Sequence, residues 1–190
     1  RQGRMSPLTR DRLATLAPAF APPAGVLRAP GRPMVLEIGC GHGAAAHAYA
    51  STHSDEQVLA VDVHLPGLAR LLATATETGL GNLWVERADA LDLLRERVAP
   101  GSLAAVHLFF PDPWPKTRHR RRRFIRPETL ELLLDRLRPN GYVLVATDHA
   151  GYARHVVEQV RAHGGFLARE SPRPGWRPVD GFEARALAAG

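Results

Sequence analysis

A junction near residue 40 constrains the fold more than any other stretch. Met34–Ile38 is a short apolar run, three glycines lie within the next five residues, Gly39–Gly43, and small residues typical of a helix occupy Ala44–Ser51. Glycines allow a tight turn and let a ligand approach the main chain without a Cβ in the way. The junction therefore predicts a nucleotide-type binding site at the end of a buried strand. We call Gly39–Gly43 the glycine loop.

The same alternation of strand and helix continues along the chain. Repeated strand–helix units with short loops imply an α/β, Rossmann-like fold, with a mostly parallel central sheet and helices on both faces. The later predicted strands are Val58–Asp62, Leu83–Val85, Leu103–Phe109, Tyr142–Ala146 and Phe166–Arg169, and the later predicted helices are about Pro66 to Thr78, Asp89–Val98, Pro127–Leu137 and Ala150–His163.

The length of 190 residues fits one domain with a sizeable core. We assign the strand–helix alternation at 34–190 to that domain. Residues 1–33 form an N-terminal arm and linker. A short capped helix is predicted to begin at Ser6-Pro7. The stretch from Ala21 to Pro33 is rich in Pro, Gly and Ala and is typical of a linker.

Cysteine and histidine usage bears on compartment and metal binding. The single cysteine, Cys40, cannot form an internal disulfide, which indicates a reducing compartment. It lies in the glycine loop, and we interpret it as a small loop residue rather than a nucleophile. The nine histidines have no Cys or acid at metal-ligand spacing, so no metal site is expected. Because no apolar run approaches a membrane span, we expect a soluble, cytoplasmic protein.

The positive charge of the chain is concentrated in one short stretch. The chain has 25 Lys/Arg and 19 Asp/Glu, and residues 116–123, here called the cationic run, hold six Lys/Arg and no acid. A solvated like-charge block is the alternative. Because the run lies inside the domain, binding of nucleic-acid phosphates is favoured. The candidate RNA-binding residues are Lys116, Arg118, His119, Arg120, Arg121, Arg122 and Arg123.

A proline-stiffened segment leads into the cationic run. Phe109–Lys116, here called the proline loop, has the sequence Phe-Phe-Pro-Asp-Pro-Trp-Pro-Lys. Each proline fixes its own φ and restrains the preceding residue, so Asp112 and Trp114 are held in place. The loop follows the fourth predicted strand. We expect this strand to lie beside the first one, at the topological switch point where such sheets bind ligands. This favours Asp112 as a site carboxylate, and the alternative is a surface turn with a buried Trp.

Three acids follow or end three successive predicted strands. Glu37, Asp62 and Asp89 are expected to converge on the crevice where such sheets bind ligands. The glycine loop also fits the dinucleotide-binding pattern G-x-G-x-x-G/A. A nicotinamide-dependent dehydrogenase is therefore the alternative to a protein that binds S-adenosylmethionine. An acid at Glu37 would repel a pyrophosphate but suits the cationic sulfonium of S-adenosylmethionine. The alternative for Asp62 and Asp89 is a role as simple helix caps.

Several motifs resemble one family. The proline loop with Arg118, His119 and Arg121–Arg123 is similar to the signature of bacterial tRNA (guanine-N7)-methyltransferases. Further matching segments are Leu36-Glu37-Ile38-Gly39-Cys40-Gly41-x-Gly43, Ala60-Val61-Asp62-Val63-His64, Ala146-Thr147-Asp148-x-x-x-Tyr152, Arg177-Pro178-Val179 and Phe182-Glu183-x-Arg185.

The resemblance implies a class I methyltransferase fold and methyl transfer from S-adenosylmethionine to N7 of a guanosine in the tRNA variable loop. It implies that Asp112 lies at the catalytic centre and also near the cofactor. It places Lys116 and Asp148 on the substrate and residues 118–123 on RNA, with Asp180–Glu183 closing on the target. The remaining implied cofactor contacts are Glu37, Gly39, Gly41, Gly43, Asp62 and Asp89, and the implied contacts of the closing segment are Asp180, Phe182 and Glu183.

The sequence departs from the family pattern in four places. Asp62 stands where Glu is common, and His149 stands where Trp is usual. Asp180-Gly181 replaces Thr-Lys, and the sequence stops at Gly190 before an expected last strand. Alternative functions are methylation of another RNA, a protein or a small molecule, and non-catalytic RNA binding. We expect tRNA as the partner, a monomer or homodimer, and no obligatory protein partner.

Overall fold

The computed structural model describes residues 5–29 and 31–179. A parallel five-stranded sheet forms its centre, in the order β3-β2-β1-β4-β5. The predicted α/β class and parallel sheet are therefore confirmed. The strands are β1 Met34–Ile38, β2 Gln57–Asp62, β3 Leu83–Arg87, β4 Leu103–Phe109 and β5 Leu137–Ala146.

Helices cover both faces of this sheet. One core layer joins side chains of the sheet to α1, α2 and α3, and the other joins the sheet to α4, α5 and α6. Strands buried on both faces are near-continuous apolar runs, as β1 and β4 are apart from one buried polar residue each, Glu37 and His107. The helices are α1 Pro7–Phe20, α2 Ala44–Thr52, α3 Leu65–Glu77, α4 Ala90–Glu96, α5 Pro127–Arg136 and α6 Ala150–His163, and a short 3₁₀ helix spans Thr117–Arg122.

Parallel pairing brings the carboxyl ends of all five strands to one edge. Ile38 of β1 pairs with Val61 of β2 and with Leu108 of β4. On the outer side of β4, Phe109 pairs with Ala146. The chain crosses over between β1 and β4, so the loops after these two strands flank the switch point, where such sheets bind ligands.

The N-terminal segment packs onto the domain. The predicted helix is confirmed: Ser6 caps it by accepting the Thr9 N–H at 3.1 Å, and the helix continues to Phe20 against α3. The linker interpretation is wrong for Leu27, which is fully buried and forms a parallel bridge with Val98. Full burial of a Leu side chain contributes about 1.5–3 kcal/mol, which favours docking of this segment over a solvated linker.

Two predictions near the C-terminal side differ from the structure. Phe166–Arg169 forms no strand: Phe166 packs against the core from a non-strand segment, and the next apolar residue, Leu167, is fully exposed. The strand predicted to begin at Tyr142 begins at Leu137 instead, with a register shift that accommodates Asn140 at φ 64°. Within the described residues, no helix is long and apolar enough to cross a membrane.

Candidate active site and RNA-binding surface

The glycine loop is tied to the end of β2. The N–H groups of Gly39 and Cys40 both donate to the Val61 carbonyl, at 2.9 and 3.1 Å. The Gly41 N–H donates to the Asp62 carboxylate at 2.7 Å. The loop is thus fixed by main-chain hydrogen bonds at the carboxyl edge of the sheet.

The glycines of this loop have two different roles. A Cβ on Gly43 would lie 2.4 Å from Leu71 of α3, so Gly43 allows the helix to pack closely. A Cβ on Gly39 or Gly41 would meet nothing within 4 Å. These two residues therefore leave open space in which a ligand can approach the main chain, and this cradle fits a cofactor such as S-adenosylmethionine.

Asp62 and Asp89 differ in what their carboxylates bind. Asp62 accepts from Gly41 through one oxygen and from the His64 N–H through the other, at 2.8 Å, so it orders the glycine loop. It is not the N-cap of α3, which is His64. Asp89 is the N-cap of α4 and accepts from Leu91 and Asp92 through one oxygen. The helix-cap alternative therefore holds for Asp89 and fails for Asp62.

The electrostatic field at the loop is negative. Glu37 is buried within β1 at 3% exposure. Burial raises the pKa of the Cys40 thiol well above its usual value, and the charges of Glu37 and Asp62 raise it further. The thiol stays protonated, in agreement with a structural loop residue. Such a field favours a cation over a pyrophosphate.

The proline loop holds an unusual backbone. Phe110 and Trp114, on either side of Asp112, have φ of 49° and 40°, in the left-handed region that non-glycine residues rarely adopt. The Phe110 N–H donates to the Ala146 carbonyl of β5 at 2.8 Å. Asp112 itself is exposed. Such conformations persist only where surrounding contacts hold them.

The 3₁₀ helix packs against Trp114. The Arg122 guanidinium lies 4.9 Å from the centre of the Trp114 ring, and the His119 ring meets the indole edge-on with 5.7 Å between ring centres. Residues three apart share one face of a 3₁₀ helix, which explains why His119 and Arg122 both contact the Trp114 ring. Trp114 is half-buried as a result.

Arg123 differs from the rest of the cationic run. Its side chain is 3% exposed, and it donates to the carbonyls of Pro113 and Trp114, at 2.9 and 3.4 Å. Its guanidinium lies 5.6 Å from the centre of the Tyr152 ring. The prediction that Arg123 contacts phosphate is therefore wrong for this structure, because the side chain faces inward. The exposed cations of the run are Lys116, Arg118, Arg120, Arg121 and Arg122.

A pocket of about 220 Å³ joins the expected cofactor side to the cationic run. Asp89 and the start of α4 form one wall. The end of the cationic run and the start of α5 form the other, with Arg122, Arg123 and Arg126 among the lining residues. The structure thus brings one predicted cofactor residue beside two residues predicted to bind RNA.

The loop after β5 lies at the same edge of the sheet. Asp148 is exposed there, two residues beyond Ala146. The ring of His149 caps α6 by accepting the Tyr152 N–H at 3.1 Å. A histidine at this position therefore has a local structural role. Among the described residues, no group of His, Cys, Asp and Glu is arranged to hold a metal ion.

The segment before residue 180 packs beneath the proline loop. Trp176 stacks on His107 of β4 with 5.2 Å between ring centres and is therefore a packing residue. The Arg177 guanidinium lies 5.4 and 5.5 Å from the ring centres of Phe109 and Phe110. Arg177 lies in a segment that resembles the family, but the sequence predicted no position for it or for His107 beside the site, although a histidine inside an apolar strand is a signal. The predicted contacts Asp180, Phe182 and Glu183 lie outside the described residues.

The strand order, the glycine loop and the acids at the strand ends define a class I methyltransferase fold. Solved structures with this fold are similar. A precorrin-6y C5,15-methyltransferase from Geobacter metallireducens aligns with a TM-score of 0.55 at 14% identity, over 82% of this chain and 69% of its own. An S-adenosylmethionine-dependent O-methyltransferase from Thermotoga maritima aligns with a TM-score of 0.53 at 15% identity, over 85% and 52%.

Sequence relatives narrow the class. A family model described as "Putative methyltransferase" matches residues 31–190. The tRNA (guanine-N(7)-)-methyltransferase of Nitrosospira multiformis is 38% identical over 100% of this chain and 87% of its own length. The enzyme of that name from Streptomyces avermitilis is 45% identical over 83% of this chain, which spans 56% of that relative. This chain belongs to the tRNA (guanine-N(7)-)-methyltransferase family.

Proposed function

We propose that the protein transfers a methyl group from S-adenosylmethionine to N7 of a variable-loop guanosine in tRNA. The observation that carries the proposal is the position of Asp112. Asp112 is exposed on the proline loop, which follows β4 beside β1 at the switch point, and the exposed cations follow this loop along the chain. Family membership supports the same reaction.

The cofactor would lie across the carboxyl ends of β1, β2 and β3. We assign the open main chain at Gly39 and Gly41 to its approach. Glu37 would face its cationic end, because a buried carboxylate favours a positive charge. Asp62 would accept hydrogen bonds from the ribose hydroxyls, since each of its oxygens has a second acceptor site beside the main-chain bond. Asp89 would contact the adenine side.

The chemistry needs alignment rather than proton removal. S-adenosylmethionine supplies a methyl group on a cationic sulfur, and a C–N bond to N7 forms as the C–S bond breaks. Since N7 of guanine carries a free in-plane lone pair, no base has to remove a proton first. Asp112 accepts the guanine N1–H and N2–H, which fixes the ring and stabilises the cationic product. Alignment of this kind contributes several kcal/mol, on the order of 7 to 11 at best.

The RNA would be held by the exposed cations that surround the loop. Arg118, Arg120 and Arg121 would bind phosphates, while Lys116 and Asp148 would contact the target nucleotide. Because N7 takes part in tertiary base triples, the nucleotide has to leave its stack, at a cost of a few kcal/mol. Phosphate contacts offset that cost. The segment Asp180–Glu183 would then close on the base, and the reaction would take place in the cytoplasm, where tRNA is found.

The test is to incubate the protein with unmodified tRNA and S-adenosylmethionine labelled in the methyl group. We expect one methyl group per tRNA, at a variable-loop guanosine that becomes sensitive to alkaline cleavage. A matched tRNA with 7-deazaguanosine at that position has no N7 lone pair and should bind without being methylated. Label in the deaza tRNA, or label restricted to protein or small molecules, would contradict the proposal.

A further inference from the structure

Arg123 is a buried cation with an unusual set of partners. Its Nε donates to the Pro113 carbonyl at 2.9 Å, one of its terminal nitrogens donates to the Trp114 carbonyl at 3.4 Å, and its guanidinium lies over the Tyr152 ring. These two carbonyls directly follow Asp112 along the chain. Tyr152 is fully buried at the start of α6, so the guanidinium is held from below.

A buried guanidinium is costly unless its donors are satisfied. Here its donors bind a main-chain turn that is itself strained, since Trp114 has φ of 40°. A non-glycine residue in this region is strained and persists only where surrounding contacts hold it. The two hydrogen bonds of Arg123 span the peptide carbonyls on both sides of that φ angle. They therefore stabilise the conformation that the loop would otherwise leave.

We propose that Arg123 is a positioning residue for methyl transfer, which fixes the Asp112 carboxylate by clamping the carbonyls of Pro113 and Trp114. The proposal rests on the proposed role of Asp112. Arg123 also follows the 3₁₀ helix directly, and its own N–H donates to the Arg120 carbonyl at 3.0 Å. Arg123 thus connects the proline loop to the 3₁₀ helix that carries most of the exposed cations.

Arg136 offers a matched control. It is 13% exposed at the end of α5, and it also donates to two main-chain carbonyls, those of Leu94 and Arg95 at 2.6 and 3.3 Å. These carbonyls belong to α4 and its end, away from the proline loop. Arg136→Ala removes the same kind of clamp from a structural position, together with an ion pair to the exposed Asp135. Loss of stability alone should therefore appear in both variants, and loss of alignment only in Arg123→Ala.

The kinetic test compares Arg123→Ala, Arg123→Lys and Arg136→Ala with the wild type in tRNA methylation. Misplacing a reacting group by about 1 Å costs about a hundredfold, so Arg123→Ala should lower kcat by about that factor. The KM for tRNA should stay within about threefold of the wild-type value, because Arg123 does not reach phosphate. For the same reason, the log–log slope of tRNA binding against salt should change by no more than about 0.3. Added methylguanidinium should restore part of the kcat of Arg123→Ala by filling the cavity.

Arg123→Lys keeps the charge and covers the case in which Arg123→Ala does not fold. A single ammonium lacks the fixed fork of donors that binds both carbonyls, so kcat should fall about tenfold. Arg136→Ala should keep kcat while its melting temperature falls. Wild-type kcat in folded Arg123→Lys, or a loss of kcat in Arg136→Ala equal to that in Arg123→Ala, would overturn the proposal.

A second measurement does not depend on activity. The chain has three tryptophans, Trp84, Trp114 and Trp176, so 5-fluorotryptophan labelling gives three assignable ¹⁹F resonances. We expect Arg123→Lys to shift or broaden the Trp114 resonance and to leave that of Trp84 in place. An unmoved Trp114 resonance would refute the clamp. If the wild type fails to methylate tRNA, the proposed function fails, while the fluorine spectrum still decides whether Arg123 holds the loop.

Discussion

The glycine loop after β1 and the proline loop after β4 lie at the same edge of the sheet and are fixed by opposite means. In the glycine loop, main-chain N–H groups bind Val61 and Asp62, and open space remains above Gly41. In the proline loop, ring-constrained residues surround Asp112, and the side chain of Arg123 clamps the carbonyls. The difference suits two kinds of ligand. The glycine loop lets a small cofactor approach the main chain, and the proline loop offers one fixed carboxylate to a nucleobase.

The strongest test of this comparison is removal of the placed carboxylate. Asp112→Ala should lower kcat by about 10²–10³-fold, as loss of one transition-state hydrogen-bonding group does. S-adenosylhomocysteine affinity, measured by calorimetry, should fall far less, because the glycine loop is intact. A near-normal turnover of this variant with tRNA bound would rule out Asp112 as the group that holds the base.

The second test acts on the glycine loop. Gly43→Ala adds a Cβ 2.4 Å from Leu71 at a φ of 76°, and it should lower the free energy of unfolding by about 2–4 kcal/mol. Gly41→Ala is the matched control, because its Cβ meets nothing within 4 Å. It should cost about 1 kcal/mol in urea unfolding from backbone strain. Its main effect should be weaker cofactor binding, and equal stability of the two variants would contradict the two roles.

The third test concerns the support beneath the proline loop. Burial lowers the pKa of His107 on β4 to about 3, below an unfolded value near 6.5. Between these values the unfolded chain binds a proton that the folded chain excludes, so stability falls as pH falls. From pH 7 to pH 5 the loss should reach about 2 kcal/mol. In urea titrations at both pH values, His107→Phe should show a smaller loss, and an unchanged difference would exclude His107 as its source.

The smallest expected effect is that of a single exposed arginine. Arg121→Ala should flatten the salt dependence of tRNA binding by up to about one unit of log–log slope. Arg161, an exposed cation in the last turn of α6, provides the control and should leave the slope unchanged. Equal slopes for Arg121→Ala and the wild type would mean that this part of the run does not touch phosphate.

Local sequence determined much of the sheet, and long-range contacts determined the exceptions. The junction at Met34–Ile38 was predictable because an apolar run, glycines and small helix formers all point to one structure. Phe166–Arg169 looked like a strand in isolation, yet it has no ladder partner in the described chain. The helix-cap interpretation of Asp62 failed because one of its oxygens accepts from Gly41, 21 residues back along the chain, and the other accepts from His64, which is itself the N-cap of α3.

The cationic run shows the same limit within the candidate site. Arg122 and Arg123 are adjacent and identical in chemistry, so no local pattern separates them. Only the fold places the Arg122 guanidinium over the Trp114 ring and the Arg123 guanidinium over the Tyr152 ring. The sequence therefore locates the cationic run, while the division of the run into exposed and buried arginines depends on residues far along the chain.

The docked N-terminal segment has a consequence for where this domain can be cut. The match to the family model begins at residue 31, but Phe20 and Leu27 already lie in the core, and Arg97 donates to the carbonyls of Pro23 and Gly25. A fragment that begins at residue 31 would expose the apolar sides of α3 and Val98. It would also leave the Arg97 guanidinium without its two carbonyl acceptors. The folded unit thus begins before the match to the family model, and a truncated variant should keep the N-terminal segment that packs on the domain.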